Sequence, residues 1–410
     1  MNTRVESPTD GLKLLRNLFY TNYTDKAIGI AEHLKCLNLT PEQNCERLEY
    51  LGFLYYRRGQ YGKARGCAQE LLAEKPGRYF EGRAHFILGL CYQEEWRVAP
   101  SETKFQQTMM EFDAALARLE GAEAVLPVIT AKSVLIAESG RQGEAVALLQ
   151  ESVKPFTEES AELGWTYARI GEFLALDFFD YERAIPYLQA ATRMLDGKST
   201  VHSWVCSLLA HAYNRTMDYQ QALAPAERAV ELEQLDPEVQ RFAAIRAHLE
   251  LGIALTYTSQ DLGRAEAEIR KALRLAHGNP SKEALAYYAL AEVQSEQGRS
   301  KQALASYERA LKLNYDGVAS QSLFVNAGIA ALDAHAYNET IRYMQRSLEF
   351  NGAQPEGKIR AYYCLGESYR HQKQYRQAAE NFRLGLQLTG GDHPYYGLLM
   401  QGLVSANSQL

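Results

Sequence analysis

The chain has 410 residues, 46% of them hydrophobic and 23% charged, a balance that excludes intrinsic disorder. Its net charge of −6 gives no general attraction to nucleic acid or to an anionic membrane surface. No window approaches 18 apolar residues, and the opening "MNTRVESPTDGLKLLRNLF" lacks the continuous apolar stretch of a secretory leader, so a cytoplasmic protein without a membrane segment is expected.

In chain order, the first predicted elements are helices near 9–20 and 24–36, with Ala27 and Ala31 on the packed face. They form a divergent first repeat over 9–43. From residue 45 the sequence repeats itself. A large residue followed by a small one recurs at Leu51-Gly52, Leu88-Gly89, Ile170-Gly171, Leu209-Ala210, Leu251-Gly252, Leu290-Ala291, Ala327-Gly328 and Leu365-Gly366, with a poor match near Lys132-Ser133. The steps between the small residues run from 37 to 44. About 12 residues after each comes a second small landmark: Ala64, Ala145, Ala184, Ala222, Ala265, Ala303 and Ala378, with Thr340 standing in once. A third often follows seven later, as at Ala191, Ala229, Ala272 and Ala310.

Each repeat reads as two helices, because apolar residues recur at i, i+3, i+4 and i+7 on both sides of a short break. The breaks carry turn residues, and Gly59, Gly140 and Gly298 are placed for a helix C-cap with positive φ. Two antiparallel helices approach closely only where one lacks a bulky side chain. The Gly and Ala landmarks are therefore packing positions, and the Tyr and Phe beside them fill the space towards the next repeat. One repeat has too little apolar surface to stand alone, so stacking must supply the core. The stretch "QEEWRVAPSETKFQQTMMEFD" is too long for a tight turn; it is expected to lengthen both helices of a repeat near 81–120 around Pro100-Ser101, with Ser101 or a neighbour as N-cap. "GGDHPYYG" at 390–397 ends one helix and begins a capping helix within 392–410. The six cysteines, at 36, 45, 67, 91, 206 and 364, lack CxxC spacing and are expected as reduced thiols, mostly in helices.

These residues resemble the tetratricopeptide repeat. The repeat at 45–78 matches through Leu48, Leu51, Gly52, Tyr55, Tyr61, Ala64, Ala68 and Pro76; that at 359–392 matches through Tyr362, Leu365, Gly366, Tyr369, Tyr375, Ala378 and Phe382, with Gly385 at the later small position. The usual repeat has 34 residues, so the steps here resemble a longer variant. The resemblance implies an all-α fold: a single right-handed superhelical solenoid over 1–410, of about ten antiparallel helix pairs, with the array at 45–391 and a C-terminal capping helix. It also implies that function lies on the concave face lined by the first helix of each pair. The partner-binding positions expected there are Phe53, Tyr56, Phe86, Trp165, Trp204, His211, Asn214, Arg215, Arg246, Tyr257, Tyr288, Arg360, Tyr363, Glu367 and Arg370. Tyr, Trp and Arg are the residues that most often anchor interfaces. Members that hold a chaperone's terminal carboxylate use a Lys and Asn pattern. The corresponding positions here carry Glu46, Glu49, Phe53, Arg83 and Phe86, and later Trp204, Ser207 and His211, so that pattern is missing.

No GxxxxGK[ST], GxGxxG, GxSxG or HExxH pattern is present, and the nine histidines are dispersed, so no enzyme, cofactor or metal is expected. The expectation is a non-enzymatic scaffold or regulator that holds a peptide, helix or protein partner in its groove. Two alternatives stay open: an RNA-binding helical repeat protein, which Glu46, Glu49, Glu172, Glu292 and Glu367 disfavour, and a sensor that closes on a small ligand or signalling peptide.

Overall fold

The computed structural model describes residues 7–20, 23–75, 77–195, 200–235, 241–258, 261–313, 321–350 and 353–410. Pro76, the last landmark of the repeat at 45–78, lies outside them. The described residues are helical throughout and form no strand. They divide into two compact units, residues 1–195 and 196–410.

The N-terminal unit contains five helix pairs: α1 (Pro8–Tyr20) with α2 (Thr24–Leu34), α3 (Pro41–Arg57) with α4 (Tyr61–Ala73), α5 (Arg78–Val98) with α6 (Glu102–Leu116), α7 (Ala122–Glu138) with α8 (Gln142–Val153), and α9 (Ala161–Glu172) with α10 (Tyr181–Met194). The C-terminal unit contains α11 (Thr200–Arg215) with α12 (Tyr219–Leu235), α13 (Arg241–Thr258) with α14 (Leu262–Ala276), α15 (Pro280–Glu296) with α16 (Ser300–Lys312), α17 (Gln321–Asp333) with α18 (Tyr337–Leu348), α19 (Pro355–His371) with α20 (Tyr375–Gln387), and the unpaired α21 (Tyr396–Asn407). Within each unit the helices stack in chain order, the arrangement of an all-α repeat solenoid. Inside a unit each second helix packs on its own first helix and on the first helix that follows, so the first helices of neighbouring repeats lie side by side.

The small landmarks sit where this packing needs them. A Cβ on Gly366 would lie 2.5 Å from the ring of Phe382, and one on Gly89 would lie 2.6 Å from Phe112. Both rings are fully buried. Phe382 is held from two sides, since a Cβ on Gly402 of α21 would meet the same ring at 2.5 Å. Ser133, the poor match, is fully buried and donates its hydroxyl to the Thr130 carbonyl at 2.7 Å, so a satisfied Ser does the work of Gly there.

The turns between paired helices repeat one device. Residues in the left-handed region follow the first helix: Gly59, Gly140 and Phe179 in the N-terminal unit, and Met217, Gly298, His335 and Lys373 in the C-terminal unit. A backbone N–H just beyond each then closes on a carbonyl of the last helical turn, as from Gln60 to Tyr55 at 2.9 Å and from Gln374 to Tyr369 at 2.8 Å. The glycines at 59, 140 and 298 thus have the expected positive φ. The residue type at the other four positions does not announce the same geometry.

Two local features depart from the repeating pattern. Helix α5 runs for 21 residues, and its extra turns meet α6 through an edge-on contact between Trp96 and Phe105, 6.2 Å between centroids. Ser101 caps α6 by accepting from the Lys104 N–H at 3.3 Å. Helix α9 continues into a π-helical turn, Phe173–Asp177. Thirteen residues separate Gly171 from Ala184, one more than separate Gly52 from Ala64. The wide turn absorbs the extra residue and keeps both landmarks in register.

Candidate partner-binding surface

The expected binding positions lie on first helices, and the two units use them differently. In the N-terminal unit Phe53 and Phe86 are buried, with rings 5.6 Å apart and edge-on, continuing to Phe19 at 6.5 Å and Phe112 at 6.3 Å. They form an aromatic spine between successive repeats and offer little surface to a partner. The Arg83 guanidinium covers the Phe53 ring at 4.5 Å and bonds Glu49 at 2.6 Å. Burial pushes the Glu49 carboxyl up, and Arg83 only partly offsets this. Tyr56 is half-buried and donates to Glu94 at 3.2 Å; burial and that carboxylate push its phenol up. Arg97 bonds both Glu94 and, at 2.7 Å, Glu138. Trp165, on α9, is 39% exposed.

In the C-terminal unit the expected residues fall into three local groups. The first surrounds Glu250 of α13, which is buried. From α11, His211 meets the Glu250 carboxylate at 2.8 Å, and the buried Asn214 amide donates to its side chain at 2.8 Å and its backbone carbonyl at 2.9 Å. Burial works against this charge, but His211, Asn214 and Arg215 outweigh it and hold the carboxyl below the usual range. Arg215 is exposed; Arg246, one turn before Glu250, is half-buried. Trp204 is half-buried on α11.

The second group is built from tyrosines. Tyr257 of α13 is 41% exposed, stacks on Tyr219 at 4.5 Å, and donates to Glu292 of α15 at 2.8 Å. Tyr288 also bonds Glu292 and accepts from the Asn326 amide of α17 at 3.0 Å. Burial raises the Glu292 carboxyl even though two phenols donate to it. The chain Tyr257–Glu292–Tyr288–Asn326 therefore links three first helices by hydrogen bonds.

The third group surrounds α19. Arg360 bonds Glu356 at 3.0 Å, and His393, in the loop before α21, meets the same carboxyl group at 3.0 Å. Tyr363 is half-buried, edge-on to Tyr395 at 5.4 Å. Glu367 and Arg370 pair on one helix face at 2.6 Å, and His371 stacks on Tyr337 at 4.8 Å.

Several participants were not among the expected positions: Tyr219, Glu250, Asn326, Glu356 and His393. A signal for them exists. Cross-helix partners lie about one repeat apart, 39 residues for His211 and Glu250, 35 for Tyr257 and Glu292, and 34 for Arg83 and Glu49. A basic residue or tyrosine with a glutamate at that offset marks two facing positions.

Among the described residues no cluster of three or more His, Cys, Asp or Glu side chains could hold a metal, and no helix is long and apolar enough to cross a membrane. Five of the cysteines are buried and Cys36 is exposed; none forms a disulfide. Burial pushes the Cys67 thiol up to about 11 and the Cys91 and Cys364 thiols up to about 12.

Residues 284–316, which contain most of α15 and all of α16, match the family model described as the tetratricopeptide repeat. No curated protein matches the chain in sequence. Among solved structures it is similar to the anaphase-promoting-complex hetero-tetramer Cut9–Hcn1, at 14% identity and a TM-score of 0.46, with 97% of this chain and 91% of that one covered. It is also similar to PilF of Pseudomonas aeruginosa, at 16% identity and a TM-score of 0.44, covering 58% of this chain and 97% of that one. A third is YrrB, described as a TPR protein with an unusual peptide-binding site, at 18% identity and a TM-score of 0.38, covering 54% and 96%. The helix pair at 284–316 recurs before and after it in the same packing, with the same small landmarks. The match at 284–316 and the recurrence of its helix pair support a tetratricopeptide-repeat protein.

Proposed function

We propose that the chain is a non-enzymatic interaction scaffold or regulator, and that the first helices of its C-terminal unit hold a peptide, helix or protein partner. One observation carries this: Tyr257, the most exposed aromatic ring of the row's hydrogen-bonded groups, is fixed in place by a stack on Tyr219 and a bond to Glu292. An exposed ring that is already ordered loses little entropy on binding, which is the property of an interface anchor. Trp204 and Arg215 on α11 and Arg246 on α13 add the residue types that dominate interface energetics to the same row. The carboxylates of Glu250, Glu292, Glu356 and Glu367 on the same helices favour a protein over a nucleic-acid backbone.

The test is recovery of partners from the native host, comparing the wild-type chain with a Trp204→Ala/Tyr257→Ala variant. The variant is expected to keep its helical circular dichroism and to lose the proteins that mass spectrometry identifies with the wild type. An unchanged set of partners refutes this role for the row.

A further inference from the structure

One titratable side chain of the C-terminal unit is wholly enclosed. His248, on α13, has no exposed surface. Its ring reaches second helices rather than the first-helix row. Nδ1 lies 2.6 Å from a Glu268 carboxylate oxygen of α14, and Nε2 lies 3.5 Å from a Glu233 carboxylate oxygen of α12. An ionised carboxylate only accepts, so Nδ1 carries a proton and donates it. The hydrogen bond from His248 is the main cause that holds the Glu268 carboxyl below its usual range, which keeps the acceptor ionised. Nε2 is different, since it is buried and has no hydrogen-bond partner. Without a proton, its lone pair faces the Glu233 carboxylate out of reach of solvent, a repulsive arrangement. With a proton, it is a cation beside an anion.

The charges of this joint point the same way. Glu233 and Glu268 each bring a negative charge, and Lys271 of α14, 3.4 Å from Glu233, brings one positive charge. A second proton on His248 makes the cluster neutral; a neutral ring leaves one anion unmatched. Other charges on the helices packed against α13 are engaged elsewhere. Arg264 of α14 pairs with Glu227 of α12 at 2.9 Å and also acts on Glu268. Arg228 of α12 pairs with Glu231 at 2.7 Å, and Arg270 of α14 with Glu266 at 2.8 Å. His211 and Arg215 of α11 and Lys282 of α15 act on Glu250, and Glu292 of α15 receives two phenols. Among the described residues no third carboxylate lies within ion-pair distance of His248.

We propose that His248 is a proton-operated latch between two successive repeats, α11–α12 and α13–α14. As the imidazolium it bridges Glu268 of its own repeat and Glu233 of the preceding one. As the neutral ring it keeps Glu268 and releases Glu233 to Lys271. Histidine exchanges such a proton near neutral pH, so the joint is tighter on the acid side of neutrality and looser on the basic side. The sign follows from linkage. The latched form binds the proton better than the released form, so the latch contributes at lower pH and is lost as pH rises through the histidine transition. The latch is independent of the scaffold role of the row and stands or falls without it.

The test uses the full chain with nitrogen-15 in its histidine rings, the His248 signals being those lost in His248→Gln and displaced in Glu233→Gln. At about pH 6 both ring nitrogens of His248 are expected to be protonated, and raising the pH to about 8 should remove the Nε2 proton alone. Over the same interval, amide exchange in α12 and α13, corrected for its intrinsic pH dependence, should speed up about threefold or more, while α3 and α4 of the N-terminal unit stay unchanged. Glu233→Gln removes the acceptor of the Nε2 proton from a partly exposed position. It should keep the helical circular dichroism and abolish the acceleration, and it carries the test if His248→Gln fails to fold. An Nε2 without a proton at every pH from about 5 to about 8 overturns the proposal. So does an acceleration of equal size in Glu233→Gln, which would show that the joint loosens for a reason other than the latch.

Discussion

The two compact units are built from the same helix pair, yet their first helices carry charge in opposite ways. In the N-terminal unit the row is closed. Its phenylalanines point between repeats, arginines cover them, and glutamates on neighbouring helices neutralise the arginines. In the C-terminal unit Arg360 and Arg370 of α19 still pair with glutamates, but Glu250 and Glu292 are held by His, Asn and Tyr, and Arg215 and Lys282 have no ion-pair partner among the described residues. Two glutamates mark the contrast. Glu49 has one arginine and is pushed up by burial; Glu250 is buried as well, but its neighbours hold it down. The fold alone therefore does not say which face can bind. What matters is whether the cations on that face are already paired.

The largest expected effect comes from opening a closed pair. Arg83→Met leaves the Glu49 carboxyl buried beside Phe53 with no cation, and should cost about 3–5 kcal/mol. Adding Glu49→Gln should recover most of it. The matching change in the other unit, Lys282→Met, should alter stability by no more than about 0.5 kcal/mol, because no ion pair is lost. Urea unfolding checks both. Trp96 and Trp165 report the N-terminal unit in a Trp204→Phe background, and Trp204 alone reports the C-terminal unit. Equal losses for Arg83→Met and Lys282→Met would break the comparison.

Acid should separate the units next. Glu250 has a lowered folded pKa, so its contribution is present above the unfolded carboxylate value of about 4.3 and is lost as pH falls through the folded value. Glu49 has a raised folded pKa, so its contribution is fully present below that unfolded value and is lost as pH rises through the folded one. Lowering the pH from 7 to about 4.3 should therefore relieve the N-terminal unit at Glu49, and lowering it further should weaken the C-terminal unit at Glu250. The same tryptophan reporters follow this, and Glu250→Gln should flatten the acid limb seen by Trp204. An acid limb unchanged by Glu250→Gln would remove Glu250 from the account.

How much of this was legible in the sequence follows from what each feature depends on. The helix pairs were readable because close approach admits only small residues, and Gly89, Gly366 and Ala378 recur at intervals that no other constraint would impose. Ser133 was a poor match because its hydroxyl finds a carbonyl within its own helix, which residue type alone does not reveal. Phe53 and Tyr56 both lie on the first-helix row three residues apart, yet one ring enters the spine and the other reaches Glu94. Helical period assigns a face but not the depth at which a ring settles. Glu250 and Lys282 were missed because their role depends on α11, α13 and α15 lying side by side, a neighbourhood visible in sequence only through partners one repeat apart.

The smallest effect concerns the turns, and it cuts across both units. Phe179, Met217, His335 and Lys373 hold the left-handed conformation with φ of 55–62°, where Gly59, Gly140 and Gly298 sit without strain. The cost for a residue with a Cβ is about 1–2 kcal/mol, partly offset because glycine loses more entropy on folding, by about 0.5–1 kcal/mol. Lys373→Gly should then stabilise the C-terminal unit by about 0.5–1 kcal/mol, since its turn keeps the Gln374-to-Tyr369 closure and the long side chain makes no ion pair among the described residues. Met217→Gly should give a similar gain, because the Met217 side chain is 74% exposed and contributes little packing. His335→Gly should gain less, as it removes the imidazole contact with Tyr337. Thermal melts of the three variants check the order. A loss of stability on Lys373→Gly would mean that this side chain is engaged at the turn, and that the turn edge, rather than the first-helix row, distinguishes the two units.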